Sequence, residues 1–482
     1  MSARRHELPT APPDLWYRPD MAQALADRDM GAVVRIFRQW TGASQTDVSV
    51  LVGIPQPHIS GLERGGRRVT ALDVFERFAD GLGIPRSLLG LAAAAGPRSG
   101  GTETAVEASQ REWLQARRQL DRHRPELTRE VSKLYPADVR LGSTGVLMPP
   151  AWRLRTPIDL ASVELVWHGE TPPPRVTGQH EETRTLRPLS AENRHYTRYH
   201  RAMRDLNRPK LFENRLCYRL LSVDAPSTNR VNLDLTLGNM CYFDMIDVGE
   251  ALAHELALAT IDHRGDVAPG PITGENLPFR RLVRDPFALA TYPLMLSVST
   301  LTVRRSSAGA TFLLLRRNPA KVAIAGGMLS VFPTGVFQPA SVTPAPTSPD
   351  FNLWRNVMRE YSEEYLGNPE HDGDGPPIDY ETEPFRSLDR ALRTGKLRVL
   401  CLGVGIDALN YVGDVFTVAI FDADVFDAIF GKMVEENDEG DVDRQIFVFD
   451  ASTIERLLRE EPFAPSGAAC LQLAWEHRAS LA

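Results

Sequence analysis

The 482-residue sequence predicts a multidomain protein, with a small all-α domain near its N-terminus and a larger α/β domain with a mixed sheet at its C-terminus. Two observations lead to this fold class besides the length, which indicates about three domains. Residues 31–91 repeat apolar side chains at helical spacing, whereas segments typical of strands alternate with helical segments from residue 211 onward. We therefore divide the chain into an arm (1–25), a helical domain (26–91), a linker with connecting helices (92–208) and an α/β domain (209–482).

The arm is predicted from residues 1–25, which carry four prolines and scattered charges. Proline removes a backbone donor and fixes its own backbone angle, so closely spaced prolines disfavour regular elements. Chain ends that are not tied down are commonly poorly ordered. We expect a flexible arm rather than a packed element.

The helical domain centres on two short helices in residues 44–65, SQTDVSVLVGIPQPHISGLERG, separated by a turn at Gly53. Each helix has one apolar face to bury, formed by Val48, Leu51 and Val52 on the first and by Ile59 and Leu62 on the second. Prolines 55 and 57 fall in the first turn of the second helix, where a missing N–H is tolerated. Gln56 and His58 then project near a helix N-terminus, where amide and imidazole groups can meet base edges in the major groove of DNA.

Residues 31–91 as a whole resemble the Cro/cI-type helix-turn-helix domain, also called the XRE family. The resemblance is carried by Ser44-Gln45, by the turn residue Gly53 and by the closing run Ile59-Ser60-Gly61-Leu62-Glu63-Arg64-Gly65. It implies double-stranded DNA as the partner, and a structural pair between Arg38 and Glu63. The DNA-binding residues that we expect are Gln45 on a phosphate, Gln56, Pro57, His58 and Gly61 facing bases, and Arg67 and Arg68 on phosphates in the following loop.

One position departs from the family pattern, because Gly61 stands where a longer side chain is usual. A glycine inside a helix costs about 1 kcal/mol relative to alanine. It either lets the backbone approach DNA or leaves one base unread. The alternative for the whole segment is a small helical bundle that binds another protein.

The charge distribution favours a local DNA contact. The chain has a formal net charge of −7 at pH 7, which disfavours a protein coated in nucleic acid. Residues 31–90 hold seven arginines against five acidic residues, a net charge of +2. We expect the contact to be doubled in a homodimer, because phosphate neutralisation provides much of the affinity.

Residues 92–208 are predicted to connect the two domains. The run AAAAGPRSGGTET at 92–104 has the Gly, Ser and Pro content of a linker. Residues 105–134 then favour a connecting or dimerising helix, and a coiled coil is not supported because the heptads do not persist. Residues 135–208 are rich in proline, arginine and histidine, and their role stays open.

The C-terminal domain is predicted from alternating strands and helices. The expected strands are 217–223, 231–237, 294–303, 311–315, 329–332, 397–404, 415–421 and 445–449. The expected helices are 247–259, 353–366, 423–434, 452–460 and 466–479. This domain is the largest block of the chain.

One helix of this domain carries a cluster of carboxylates. Glu360, Glu363 and Glu364 are spaced at i, i+3 and i+4, which places them on one side of a regular helix. Like charges at that spacing repel each other, and oxygen ligands of this kind suit Mg²⁺. The alternative is that they pair with neighbouring arginines, Arg355 and Arg359 included.

The run Arg359-Glu360-Tyr361-Ser362-Glu363-Glu364 is similar to the core of the Nudix box. The resemblance implies a Nudix-like fold in which these carboxylates hold Mg²⁺ against a pyrophosphate. Two departures argue against an active pyrophosphohydrolase. The segment between Gly335 and Arg359 is longer than in the family and lacks its upstream glutamate, and Leu366 stands where a glycine is expected. We therefore assign no catalytic residue and expect a domain that senses a small nucleotide-like ligand or holds a dimer.

Compartment and cofactor chemistry follow from what the sequence lacks. Its four cysteines, Cys217, Cys241, Cys401 and Cys470, show neither zinc-ligand spacing nor a disulfide framework. No segment has a signal-peptide layout or eighteen consecutive apolar residues, so we expect a cytoplasmic protein without membrane contact.

The sequence thus favours a one-component bacterial transcription regulator. The competing interpretation is a DNA-tethered, Mg²⁺-dependent Nudix hydrolase of nucleoside diphosphate derivatives. A third interpretation is an interaction protein whose large domain binds a protein partner. The ligand, the operator and the direction of regulation do not follow from the residues.

Overall fold

The computed structural model describes residues 12, 15–54, 56–65, 69, 72–89, 91, 103–209, 212–225, 232–262, 265–267, 272–317, 328–341, 345, 347–371, 377–431, 433 and 440–481. The chain separates into two compact units, Met1–Thr102, here called the head, and Glu103–Ala482, here called the body. Among the described residues, no helix has both the length and the apolar character needed to span a bilayer.

The head is a bundle of short helices around one apolar core. In chain order these are α1 (Pro19–Ala26), α2 (Met30–Thr41), α3 (Gln45–Val52), α4 (Gln56–Glu63) and α5 (Leu72–Leu82), with 3-10 turns at Leu15–Tyr17 and Arg86–Leu89. The faces predicted from the periodicity are used, because Val48, Val52, Ile59 and Leu62 are buried.

The predicted flexible arm is corrected by the first two of these elements. Leu15, Trp16, Met21 and Leu25 are buried in the head core, and the Trp16 ring stacks on that of Phe37 at 6.0 Å. Burial of large apolar side chains offsets the ordering of this segment. Residues 15–25 are therefore part of the helical domain, whereas 1–11, 13 and 14 lie outside the described residues.

Two glycines let the head helices approach closely. A Cβ on Gly31 of α2 would lie 2.2 Å from the carbonyl oxygen of Leu62 in α4. A Cβ on Gly81 of α5 would lie 2.2 Å from the carbonyl oxygen of Leu51 in α3. Glycine is thus needed at both positions to seat the central helix pair against its neighbours.

The body is built on a mixed sheet with helices packed against it. Its helices are α6 (Ala105–Ser132), α7 (Tyr199–Leu206), α8 (Tyr242–Met245), α9 (Ala251–Thr260), α10 (Pro278–Val283), α11 (Leu353–Glu360), α12 (Phe385–Arg393), α13 (Ala423–Phe430), α14 (Ala451–Glu460), α15 (Pro465–Glu476) and α16 (Arg478–Leu481). Its strands are β1 (Val146–Leu147), β2 (Arg153–Asp159), β3 (Val163–Trp167), β4 (Leu189–Ala191), β5 (Arg194–His195), β6 (Leu216–Asp224), β7 (Leu233–Cys241), β8 (Leu296–Ser306), β9 (Gly309–Arg317), β10 (Leu329–Ser330), β11 (Thr334–Val336), β12 (Leu397–Asp407), β13 (Gly413–Asp422) and β14 (Gly440–Val448).

The main sheet has nine strands in the order β1-β12-β13-β8-β9-β10, with β2 also on β12, β11 on β8 and β14 on β9. Strands β13 and β8 run parallel, and the other neighbouring strands of this sheet run antiparallel within the described residues. A second sheet has the order β3-β7-β6, and β4 pairs with β5. The predicted fold class, a helical N-terminal domain followed by a mixed-sheet α/β domain, is confirmed.

The predicted boundary at residue 208 is corrected. Strands β1 and β2 belong to the main sheet, and α6 packs against α9. Leu120, Leu127 and Val131 of α6 are fully buried, because they repeat along one face of the helix. Residues 103–208 are thus part of the body rather than a linker, and 92–102 lie outside the described residues.

Two helices predicted as regular contain π-turns. Residues Ile246–Glu250 form one between α8 and α9, and Tyr361–Tyr365 form another after α11. In a π-turn the backbone bonds run from i to i+5, so side chains three and four apart no longer align as they do on an α-helix. Single π-turns are frequent at functional sites.

Candidate nucleic-acid interface

The α3-turn-α4 unit is fixed by its own backbone and side-chain caps. Ser44 caps α3 by accepting from the backbone N–H of Asp47 at 3.0 Å, while the Asp47 carboxylate accepts from the Ser44 N–H at 2.8 Å. Gly53 ends α3 with φ +66°, a left-handed conformation that favours glycine. The Ser49 hydroxyl donates to the carbonyl of Ile54 at 2.5 Å, which closes the turn. The sequence from Ser44 to Gly53 therefore sets the angle between the two helices.

A chain of polar side chains connects α2, α3 and α4. Gln56 Nε2 donates to Gln45 Oε1 at 2.7 Å, and Gln45 Nε2 donates to Glu63 Oε2. Glu63 Oε1 in turn accepts from Arg38 Nη1 at 2.7 Å. Arg38 is itself held by the carbonyl of Ala43, which accepts from Nε at 3.0 Å. Four side chains from three helices thus orient one another.

This chain determines what Gln56 can offer. A carboxamide has two N–H donors and one carbonyl acceptor, and one N–H is engaged by Gln45. Gln56 is half-buried, and His58 is exposed in the first turn of the same helix. Both lie in the first half of α4, as a groove-reading helix requires.

The structure describes only some of the other residues that were predicted to contact DNA. Gly61 is half-buried in α4, and Pro57 lies in its first turn. Arg67 and Arg68 fall outside the described residues. Arg35 and Arg64 were not among the predicted DNA contacts, although their side chains are exposed. Arg35 donates to the carbonyl of Glu63, and Arg64 Nε to that of Ser60 at 3.3 Å, so both guanidinium groups lie at the C-terminal end of α4.

The three carboxylates of the predicted Mg²⁺ site do not face one point: Glu364 and Glu360 lie against neighbouring residues of β11, whereas Glu363 turns toward His371. Glu364 Oε1 accepts from the backbone N–H of Thr334 at 2.9 Å, whereas Glu363 Oε1 accepts from that of His371 at 3.1 Å. Glu360 lies against Gly335, where an added Cβ would be 1.9 Å from Oε1. The π-turn over Tyr361–Tyr365 accounts for the different direction of Glu363, because it changes the offset between side chains three and four apart.

Burial also changes the protonation of Glu363. Burial raises the pKa of this carboxyl to about 7, although the His371 N–H and Arg359 act in the opposite direction. Among the residues with described placement, no group of three or more His, Cys, Asp or Glu side chains could hold a metal ion. The described residues therefore do not present Glu360, Glu363 and Glu364 as one three-carboxylate Mg²⁺ site. Of the arginines named as alternative partners, Arg359 donates to Gln338 O and Asn356 Oδ1, both at 2.7 Å, and its charge also acts on Glu363.

Comparison with known proteins gives a family match for part of the head. The family model described as a helix-turn-helix domain matches residues 29–91. This match confirms the helix-turn-helix prediction for that part of the chain. No curated protein matches the sequence.

Two solved structures are similar to part of the chain. One is a Nudix hydrolase from M. smegmatis, RenU, with 14% identity over 39% of this chain and 86% of its own, at a TM-score of 0.20. The other is a NUDIX hydrolase from Alicyclobacillus acidocaldarius, with 14% identity over 37% of this chain and 90% of its own, at a TM-score of 0.22. At these TM-scores the similarity does not extend to an activity.

Proposed function

We propose that this protein is a one-component bacterial transcription regulator whose head binds operator DNA through an XRE-type helix-turn-helix. The body would sense a small ligand or hold a homodimer. The observation that carries the proposal is the hydrogen bond between Gln56 and Gln45, because it fixes a base-reading amide at the start of α4. The helix-turn-helix match over residues 29–91 supports the same function.

The physical argument starts from the groove. A helix whose N-terminal residues carry amide and imidazole groups can place them against base edges, and a glutamine can pair in bidentate fashion with adenine. Gln56 retains one N–H donor and its carbonyl oxygen for that contact. The glutamine is oriented before DNA arrives, so less conformational entropy is lost on binding.

Phosphate contacts would add affinity that does not depend on sequence. Arg64 and Arg35 are exposed at the far end of α4, and Arg67 and Arg68 follow it in the chain. A single head provides few such contacts, so we propose a homodimer that reads two half-sites about 34 Å apart, one DNA turn. The operator would then be an inverted repeat.

The experiment begins with mapping of genomic binding sites, which identifies the operator. Fluorescence anisotropy with that operator and with random DNA then separates the two kinds of contact. Gln56→Ala should weaken operator binding and leave random-DNA binding unchanged. Arg68→Ala should weaken both and reduce the salt slope by about 1. Gln23→Ala, at an exposed position of α1, is the matched control.

Two results would reject the proposal. The first is an equal loss on operator and random DNA for Gln56→Ala, which would remove base reading by α4. The second is the absence of any enriched genomic site, together with a stable heteromeric partner in pull-downs, which would favour an interaction protein.

A further inference from the structure

A cavity of about 460 Å³ opens in the body between the main sheet and α13. Its volume falls in the range of small-molecule sites, about 300–1,000 Å³. Five apolar side chains contribute to its wall: Leu313, Phe426, Phe430, Met433 and Ile446. The wall therefore suits the apolar part of a ligand that fills it.

Charged and polar groups stand beside the apolar wall. Arg304 and Thr302 lie on the same face of β8, since they are two residues apart on a strand, and both line the cavity. Arg304 donates to Asp427 from Nε at 2.8 Å and from Nη2 at 2.6 Å. The Arg304 side chain is 32% exposed and that of Asp427 is 56% exposed, so the pair lies where the cavity meets solvent. A guanidinium has five N–H donors, of which Asp427 uses two.

The inner wall of the cavity touches the π-turn at Tyr361–Tyr365. The Phe430 ring lies 5.2 Å from that of Tyr361 and 4.8 Å from that of Tyr365, measured between centroids. The hydroxyls of Thr302 and Tyr361 are hydrogen-bonded at 2.8 Å. A molecule in the cavity would therefore press on the element that departs from regular helical geometry. Such coupling is what a sensing domain requires.

We infer that this cavity binds a small organic acid with an aromatic or otherwise apolar body, whose anionic group is held by Arg304. The apolar body packs among Phe426, Phe430 and Leu313, and the anion accepts from the guanidinium donors that Asp427 leaves available. This inference gives the chemical class of the ligand that the body would sense under the proposed function. Only the regulatory role of the ligand rests on that function. Binding itself needs no DNA.

The ligand anion and the Asp427 carboxylate would compete for the Arg304 guanidinium. One substitution should therefore weaken binding and another should strengthen it. The probe is 8-anilinonaphthalene-1-sulfonate, which joins an aromatic body to an anionic sulfonate, titrated into the full chain without DNA. Arg304→Gln should weaken binding about tenfold, as expected for the loss of a charged hydrogen bond. Asp427→Asn should tighten it severalfold, because Arg304 loses its carboxylate partner. Leu313→Trp should abolish it by filling the cavity.

A matched control uses the next residue of β8. Arg305 pairs with Asp422 at 3.1 Å and points to the opposite face of the strand, so Arg305→Gln should leave probe binding unchanged. The neutral probe N-phenyl-1-naphthylamine isolates the apolar wall. Its binding should be abolished by Leu313→Trp and be unaffected by Arg304→Gln or Asp427→Asn.

Folding of the blocking variant is checked by far-UV circular dichroism. If Leu313→Trp does not fold, Ile446→Trp replaces it, because Ile446 is 65% exposed and tolerates a larger side chain. The inference is overturned if the wild-type chain shows no saturable binding, or if a folded blocking variant binds as well as wild type. It is equally overturned if Arg304→Gln and Arg305→Gln have the same effect. Failure of operator binding would reject the proposed function and leave this result standing.

Discussion

Gln45 and Gln56 are the first residues of α3 and α4, and a hydrogen bond of 2.7 Å joins their side chains. Because Gln45 also donates to Glu63 at the end of α4, one amide bridges both ends of that helix. The pair therefore holds the N-termini of the two helices next to each other. A helix N-terminus carries a partial positive charge, which favours phosphate nearby.

This bond predicts non-additive losses in DNA binding. Gln45→Ala and Gln56→Ala should each weaken operator binding by about 1–3 kcal/mol. The double variant should lose less than the sum, by about 0.5–3 kcal/mol, because Gln45 acts partly by orienting Gln56. Anisotropy titrations at one salt concentration provide the cycle. Strictly additive losses would show that the two amides act independently.

The close contact at Gly31 predicts that the head is sensitive to one methyl group. Gly31→Ala would bring a Cβ within 2.2 Å of the Leu62 carbonyl, so α2 and α4 must separate. We expect a loss of about 1–3 kcal/mol in the stability of the head, as for other overpacked sites. Hydrogen exchange measured by mass spectrometry should show reduced protection across α2 and α4. Gln39→Ala, exposed on the same helix, is the control and should leave protection unchanged.

A buried ion cluster predicts the pH range in which the body loses stability. Glu250 is fully buried and accepts from Arg117 Nη1 at 2.5 Å and from Arg124 Nη2 at 2.9 Å. Burial alone would raise its pKa, but the charges of Arg124 and Arg117 outweigh burial and lower the pKa of Glu250 from 4.5 to about 2. The unfolded chain takes up this proton first, so the stabilisation is present above pH 4.5 and is lost as the pH falls toward 2.

Glu250→Gln should therefore destabilise the body by about 3–5 kcal/mol at pH 7, because it leaves two buried guanidinium groups without their carboxylate. The difference from wild type should shrink between pH 4.5 and 2. Urea unfolding followed by circular dichroism measures both effects. Asp121→Asn is the matched control: Asp121 lies 3.5 Å from Arg117 but is 47% exposed, and a surface pair is worth less than about 1 kcal/mol. Equal losses for the two variants would contradict this account.

Glu363 predicts a pH dependence of opposite sign. Its pKa is raised to about 7 in the folded chain, so the native state keeps a proton that the unfolded chain releases near 4.5. The stability linked to this group is present below pH 4.5 and is lost as the pH rises through 7. Glu363→Gln removes that dependence. The stability of the variant relative to wild type should rise between pH 4.5 and 7 by at most about 3 kcal/mol. A flat difference curve would show that Glu363 is not protonated in the folded chain.

The separation of Glu363 from Glu360 and Glu364 predicts indifference to Mg²⁺. Adding Mg²⁺ should leave the unfolding temperature unchanged, because binding to the native state alone would raise it. Incubation with ADP-ribose or NADH plus Mg²⁺ should give no turnover. Turnover that is abolished by Glu364→Gln, and retained by the exposed control Glu381→Gln, would restore the hydrolase interpretation.

Helix bounds in the head and most strands of the body were predictable because their signals are local. Gly53 and the polar opening of α4 mark the turn, and runs of branched and aromatic residues mark strands such as β12 and β13. The packing of α6 was not predictable, because Arg117 and Arg124 look like solvated charges in the sequence. Their partner Glu250 lies 133 and 126 residues away.

The candidate site divides in the same way. Gln56 could be singled out because the family pattern places it at the start of a groove-reading helix. The Glu360, Glu363 and Glu364 cluster was predicted from regular helical spacing, whereas the chain forms a π-turn there and directs Glu363 toward His371. No local signal distinguishes that turn from a regular helix. The cavity beside Arg304 arises from β8, β9, α13 and β14, which are distant in the chain.

The pair between Arg38 and Glu63 bears on how the DNA-reading unit can be transplanted. A chimaera that received only α3 and α4 would lack the guanidinium anchoring Glu63, and Gln45 would lose the fixed acceptor that holds it in place. The smallest segment that could be transferred must therefore include α2, which begins at Met30. Because Trp16 stacks on Phe37 of α2, the segment should start at Leu15.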